Sequence, residues 1–531
     1  MIVTAEGYKF EELQEDLMPV KIVDSYKVEN VENLLLSNAA CVTFQSTNWA
    51  SFQECGSYVV LDFGKELCGG VRIITQTSEG CGKWRLTFGE SLSEACSTLG
   101  EKNATNDHSP RDYIVTSSPM SDLQYGQTGF RFVKVELLEA APAVIQNIFA
   151  VSHLPLFEQE AEIKTNDAML NDIIKTAVYT LKLSFQNGYI WDGIKRDRLV
   201  WSGDLHPEIV TSLYMFGDND NTKNSLVFLR KSTPKNQWIN QLPSYSAWWV
   251  INLCDYCTIT GNWDFFEENK EYALEIIEHF NKCLKDTGEV ILEGEDFLDL
   301  STKDHPEAIV GVLSLIRWMA QKYRMIEENE SCQRLIDGLA GWVDKKTTKK
   351  PVRAFQILAG RSFSEEDADM LQEENAQGFS TFMAYYILTA TAIVGGTNML
   401  SVLKEYYGSM LSRGATSFWE DFDMRWLGNS GRIDQLPQEG QKDIHGDFGQ
   451  FCAKQFRRSL CHGWASGVVA FLVEYILGVR IINGGKTISV KPHLMGLADV
   501  EAKIPMKNGN LVINIHGDDI QISAPNDTIF I

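Results

Sequence analysis

The chain has 531 residues, enough for about two to four domains, and its 44% hydrophobic and 22% charged content is that of a globular protein. Asp and Glu number 71 against 48 Lys and Arg, a net charge of −23; without clustered cations to neutralise phosphates, this balance excludes a nucleic-acid-binding surface. Glu474 interrupts the longest apolar stretch, Gly467 to Ile482, so no membrane-spanning helix is expected.

The N-terminal stretch MIVTAEGYKFEELQED has no basic segment leading into an apolar one, and the 11 Cys are scattered. Both features fit a cytoplasmic protein with reduced thiols. Cys254 and Cys257 are the one close pair, and no second pair completes a metal set.

Residues 1 to 158 read as a β-sandwich. Trp84, Leu86 and Phe88 alternate with polar neighbours, the period of a half-buried strand. Val59–Leu61, Val71–Ile74 and Phe132–Val135 are β-rich runs, with Gly69-Gly70 expected to separate two of them. Residues 159 to 478 change period. After the capping cluster Thr165-Asn166-Asp167, apolar residues recur at Leu170, Ile173, Ile174, Ala177, Val178 and Leu181. The same spacing returns at 273–284, 308–319, 382–393 and 467–477. Repeated helices with no interleaved strands predict a helical barrel. Strands resume over residues 479 to 531, a small C-terminal β-sandwich.

The common catalytic signatures are absent. No HExxH, GxSxG or GxGxxG occurs, and Asn483-Gly484-Gly485-Lys486-Thr487 lacks the first glycine of a phosphate loop. Carboxylates beside aromatics remain. Between Trp191 and Asp204 lie Asp192, Lys195, Arg196, Asp197, Arg198 and Trp201. Trp419-Glu420 and His462-Gly463-Trp464 form two further clusters. A structural reading stands beside the functional one. Asp204 suits the cap of the next helix, Asp192, Arg196 and Asp197 suit a surface ion-pair net, and His462 suits a structural role. Functionally, an aromatic face meets sugar C–H groups, and two acids brought together from distant segments suit acid/base work on a glycosidic bond.

Together these clusters resemble bacterial α-L-rhamnosidases of glycoside hydrolase family 78. The family motif Asp-Cys-Pro-Gln-Arg-Asp-Glu-Arg-Leu-Gly-Trp-Thr-Gly-Asp is similar to the segment from Asp192 to Asp204, which reads DGIKRDRLVWSGD. Gly414-Ala415-Thr416 through Trp419-Glu420 resembles the segment carrying the general base, and Ser459 through Trp464 the sugar-binding His segment. Tyr245-Ser246-Ala247-Trp248 is similar to an aromatic stretch of the −1 subsite. Val60–Gly64, Phe88-Gly89-Glu90 and Gly129-Phe130-Arg131 fit the family's N-terminal domain. The resemblance implies an (α/α)6 barrel between an N-terminal, jelly-roll-like β-sandwich and the C-terminal one.

It also implies inverting hydrolysis of terminal α-L-rhamnosyl bonds, with Asp197 as general acid and Glu420 as general base. Asp192, Arg196, Asp204 and His462 would hold sugar hydroxyls, and Trp201, Trp248, Trp419 and Trp464 would pack on the ring and its methyl group. The chain departs from the motif where Asp-Glu is shortened to Asp197. An Asp must bring its backbone about 1.5 Å closer to the leaving oxygen, which leaves Asp204 and Asp192 as alternative donors. No step calls for a metal or organic cofactor. The expected partners are rhamnosylated small molecules or oligosaccharides, neither nucleic acid nor membrane, with a homodimer among the states the resemblance allows. The rival readings are another glycosidase on the same barrel, such as an unsaturated-glucuronyl hydrolase, and a non-catalytic carbohydrate-binding protein.

Overall fold

The computed structural model describes residues 12–36, 40–44, 49–76, 82–139, 141–285, 287–294, 296, 298–299, 302, 305–450 and 453–531. Residues 1–11 of the N-terminal stretch lie outside them.

Among the described residues, the N-terminal domain is a nine-stranded sheet paired antiparallel throughout. Trp84, Leu86 and Phe88 enter its core beside Phe52, Phe130 and Val133, as their alternation predicts. The two runs at Val59–Leu61 and Val71–Ile74 are not separate strands. They belong to one strand, Tyr58–Thr75, which pairs with Asp122–Glu139 through two register shifts. Gly69 and Gly70 lie inside it because other backbone passes too close for a side chain. A Cβ on Gly69 would sit 2.0 Å from the carbonyl oxygen of Val151, and one on Gly70 2.2 Å from that of Tyr125. In a strand, glycine marks close approach as readily as a break.

The helices form a closed ring. Leu205–Phe216, Pro243–Thr260, Ala308–Ile326, Lys350–Leu358, Met383–Ile393 and Gly467–Phe471 each pack against the next, and the last packs back on the first. An outer helix precedes each one: Ala168–Ser184, Asp220–Ser232, Trp263–Cys283, Glu330–Gly338, Glu365–Gln372 and Met399–Ser412. The two layers differ as their positions require. Every residue of Leu205–Phe216 is buried, whereas Trp263–Cys283 buries one stripe through Phe266, Ala273, Ile277 and Phe280. Asp167 caps the first outer helix by accepting from the Leu170 N–H at 3.0 Å. Glu474, in the π-turn after Gly467–Phe471, accepts from the hydroxyls of Tyr214 and Tyr385 inside the ring. No described helix is long and apolar enough to cross a membrane.

Two small sheets close the C-terminal region, a four-stranded and a three-stranded one. The strand Glu162–Thr165, expected within the barrel segment, pairs antiparallel with Asp499–Met506 of the four-stranded sheet. It covers an edge that would otherwise present unpaired backbone groups, and four residues are too few to show a period in sequence.

The N-terminal domain docks on the barrel mouth. Arg131 grips Asp62 at 2.8 and 2.9 Å and donates to the Gly414 carbonyl at 3.2 Å. The Glu66 N–H donates to Thr416 Oγ1 at 2.9 Å, and the Tyr179 hydroxyl to the Glu66 carbonyl at 2.6 Å. These bonds tie the N-terminal domain to Gly414, Thr416 and Tyr179 of the barrel domain.

Candidate active site

The loop from Trp191 to Asp204 lies between the N-terminal domain and the segment 456–464. Ser109 Oγ donates to the Lys195 carbonyl at 2.8 Å and the Gly129 N–H to that of Ile194 at 3.0 Å. On the other side Gly193 and His462 form an isolated bridge, and the Gly463 N–H donates to the Asp192 carbonyl at 2.8 Å. Within the loop, Asp197 and Arg198 both take positive φ, 55° and 57°. Asp tolerates this region better than Arg, so the turn is a strained one, as is common where side chains are held for chemistry. It lifts Asp197 to the rim, where its side chain keeps 17% exposure.

Arg196 joins the two expected catalytic acids. Its Nη1 lies 2.8 Å from Asp197 Oδ1, and its Nη2 donates to Glu420 Oε1. Glu420 is otherwise held by backbone. Its Oε2 accepts the Ser459 N–H at 2.9 Å, and its own N–H donates to the Ser459 carbonyl at 3.0 Å. Its carbonyl accepts from Trp464 Nε1 at 3.0 Å and Thr381 Oγ1 at 2.6 Å. Of the surface net expected among Asp192, Arg196 and Asp197, the Arg196–Asp197 pair forms, but Arg196 is buried and its other contact runs to Glu420 rather than to Asp192.

Asp192, Asp204 and His462 form a floor beneath this pair. Asp204 occupies the N-cap position of Leu205–Phe216, but its side chain does not cap. It accepts instead from the Tyr245 hydroxyl at 3.2 Å. His462 Nε2 stands 3.7 Å from Asp192 Oδ2 and 3.8 Å from Asp204 Oδ1, and Asp192 Oδ1 accepts the Leu199 N–H at 2.9 Å. Burial pushes the Asp204 carboxyl up to about 8, against the pull of the Tyr245 hydroxyl. It raises Asp192 well above the carboxylate range, with Asp204 and Asp197 adding to it. Burial also holds His462 well below its usual value, helped by Arg196. The floor is thus a set of neutral groups that both donate and accept, suited to hydroxyls.

The four tryptophans expected around a sugar divide. Trp464 packs at a tilt against His462, ring centroids 4.1 Å apart, and the partly buried Trp201 meets Tyr245 edge-on at 5.7 Å. Trp248 and Trp419 are 1% and 0% exposed. Trp248 is walled in by His206, Trp318, Phe355 and Tyr386, and Trp419 by Phe422 and the Arg458 guanidinium. Neither offers a face to a ligand; both are core residues behind the site. Sequence reasoning missed His108, whose Nδ1 lies 3.0 Å from Asp197 Oδ1. A lone His in the N-terminal domain carries no spacing that would place it there.

Among the described residues, two groups have donor atoms close enough for a metal ion, Asp192/Asp204/His462 and Glu90/Glu94/His445. In the second the cation position is already served by Lys195 Nζ, 2.9 Å from Glu90 and 3.2 Å from Glu94.

A closed ring of six helical hairpins, formed among the described residues, is the architecture of the six-hairpin glycosidases. Residues 158–284 match the family model of the bacterial alpha-L-rhamnosidase 6 hairpin glycosidase domain, and residues 54–152 that of the bacterial alpha-L-rhamnosidase concanavalin-like domain. These two stretches are similar to the two domain types of the bacterial α-L-rhamnosidases. Solved structures share the fold. The family 78 rhamnosidase of Bacillus sp. GL1 is 19% identical with a TM-score of 0.74, over 94% of this chain and 55% of that one. A Klebsiella oxytoca rhamnosidase with rhamnose bound is 18% identical with a TM-score of 0.69, over 87% of this chain and 95% of that one. The Streptomyces avermitilis α-L-rhamnosidase complexed with L-rhamnose is 15% identical with a TM-score of 0.68, over 89% and 48%. The chain thus spans about half the length of the Bacillus and Streptomyces proteins. A comparison with curated protein sequences gives no match.

Proposed function

We propose that the protein hydrolyses terminal α-L-rhamnosyl bonds with inversion of configuration. The observation that carries this reading is the placing of Asp197 and Glu420 on the two arms of one guanidinium, Arg196. In the proposed reaction Asp197 gives its proton to the glycosidic oxygen as the C1–O bond breaks. Glu420 takes a proton from a water that attacks C1 from the opposite face, and the products are the free alcohol and β-L-rhamnose. An inverting pair needs roughly 6.5–9.5 Å between its carboxyls to admit that water. Arg196 compensates the charge of Glu420 and orients it. Asp192, Asp204, His462 and Tyr245 bind the ring hydroxyls, while Trp201 and Trp464 supply apolar surface for the ring and its methyl group. The rhamnose bound in the Klebsiella and Streptomyces structures supports the choice of sugar. The floor of acids and a neutral His gives a glucuronyl carboxylate no cation beyond Arg196, which is already engaged by two acids. Rhamnosylated small molecules or oligosaccharides are the proposed substrates, and the cytoplasm the proposed location.

One observation favours a second assignment of the donor. With its carboxyl up at about 8, Asp204 holds a proton at neutral pH, as a general acid must. The test is turnover of p-nitrophenyl α-L-rhamnopyranoside by the wild type, Asp197→Asn, Asp204→Asn and Glu420→Gln, with the product anomer followed by NMR. The β-anomer as first product, with large rate losses in Asp197→Asn and Glu420→Gln, is the expected result. An α-anomer overturns inversion. An unimpaired Asp197→Asn moves the donor to Asp204.

A further inference from the structure

The hydrogen bond that orients Glu420 is itself held from outside the barrel. Ser459, whose N–H donates to Glu420 Oε2, rests on Glu90 at the end of the N-terminal-domain strand Gly82–Gly89. Glu90 Oε1 accepts from Ser459 Oγ at 2.9 Å, and its Oε2 from the Leu460 N–H at 2.5 Å. Its countercharge, Lys195, also donates to the Phe456 and Arg458 carbonyls at 2.9 and 2.7 Å. Lys195 immediately precedes Arg196, so the network that fixes Ser459 also fixes the residue gripping both acids. Glu90 and Glu94 are fully buried, and a buried, fully bonded network of this kind is rigid. The Phe88-Gly89-Glu90 motif has no other part in the proposed reaction.

We propose that Glu90 is a positioning residue of the accessory domain, which sets the orientation of Glu420 through the Ser459–Leu460 backbone. The inference rests on the proposed function in taking Glu420 as the base. The neighbouring pair Asp62–Arg131 provides the contrast. It is buried at the same domain boundary, but its bond reaches Gly414, with no contact to Ser459 or to Glu420.

The experiment compares Glu90→Gln with Asp62→Asn in the full chain. Gln keeps the size of Glu90 but loses its charge against Lys195 and turns one acceptor into a donor. A carboxylate that loses an N–H donor titrates higher. Glu90→Gln is therefore expected to move the acid limb of kcat/KM upward. It is expected to lower kcat about ten- to a hundredfold with KM nearly unchanged. Asp62→Asn is expected to lower the melting temperature and leave the acid limb in place. Side-chain carbon NMR of Glu420, assigned by Glu420→Gln, reads the same shift without turnover. A wild type inert on every rhamnoside therefore sinks the proposed function alone and leaves the role of Glu90 to the NMR titration. A folded Glu90→Gln with an unmoved Glu420 titration and an unchanged limb overturns the inference. If Glu90→Gln does not fold, Ser459→Ala, which removes one of the two bonds to Glu90, is expected to give a smaller shift in the same direction; no shift overturns the inference equally.

Discussion

Nδ1 of His108 lies 3.0 Å from Oδ1 of Asp197 and accepts the Asp197 backbone N–H at 2.7 Å. His108 anchors the backbone of the residue proposed as the acid, reached from the accessory domain. His108→Ala is expected to lower kcat about tenfold, within the range of acid/base contributions, and to cost more on an alkyl rhamnoside than on the p-nitrophenyl one, whose leaving group needs less protonation. Equal losses on the two substrates would show that His108 does not serve the acid.

Arg196 provides two arms in a fixed planar fork, one on each carboxyl. Arg196→Lys keeps the charge and loses one contact. It is expected to lower kcat by about a hundredfold, the scale of a misplaced catalytic group, with a smaller change in the dissociation constant of rhamnose measured by calorimetry. A variant that keeps its turnover would show that the two acids hold their positions without the bridge.

Asp204 makes stability fall as pH rises. Its carboxyl is up at about 8 through burial and near 4 in an unfolded chain. Between those values the folded protein binds the extra proton, so its stabilisation is complete below about pH 4 and is lost on the way to about pH 8. The full effect is on the order of 5 kcal/mol. Asp204→Asn, which keeps the acceptor for Tyr245, is expected to melt above the wild type at pH 8 and to flatten the decline between pH 5 and 8 in calorimetric scans. The same variant is expected to bind rhamnose more weakly. Parallel pH profiles for the two proteins would contradict a proton-holding Asp204.

The helical ring was legible because a buried helix repeats its apolar residues every three or four positions, and the stretches at 170–181, 273–284, 308–319 and 382–393 each became a helix or part of one. The conjunction of Arg196, Glu420 and the floor acids was legible only through motif resemblance, because 224 positions separate Arg196 from its partner. Other features have no local signal. Gly69-Gly70 reads as a break from one strand alone, and its reason lies in the backbones of Val151 and Tyr125. His108 acts across a domain boundary. The depth of a tryptophan depends on what packs over it, so Trp248 and Trp419 resemble Trp201 and Trp464 in sequence while lying behind the site.

That division of the tryptophans separates two kinds of defect. Trp419 is fully buried between Phe422 and Arg458, and its replacement by Ala removes a large core side chain, an expected cost of about 3–5 kcal/mol. Trp419→Ala is therefore expected to melt well below the wild type, with whatever activity it retains showing a normal KM. Trp201 is partly buried and touches Tyr245 by an edge, so Trp201→Ala is expected to melt near the wild type and to raise KM several-fold, in line with a lost aromatic contact of about 1 kcal/mol. Melting curves and KM values for the two variants form the test. A stable Trp419→Ala with a raised KM would return Trp419 to the sugar, and a Trp201→Ala that melts early with an unchanged KM would place Trp201 in the core instead.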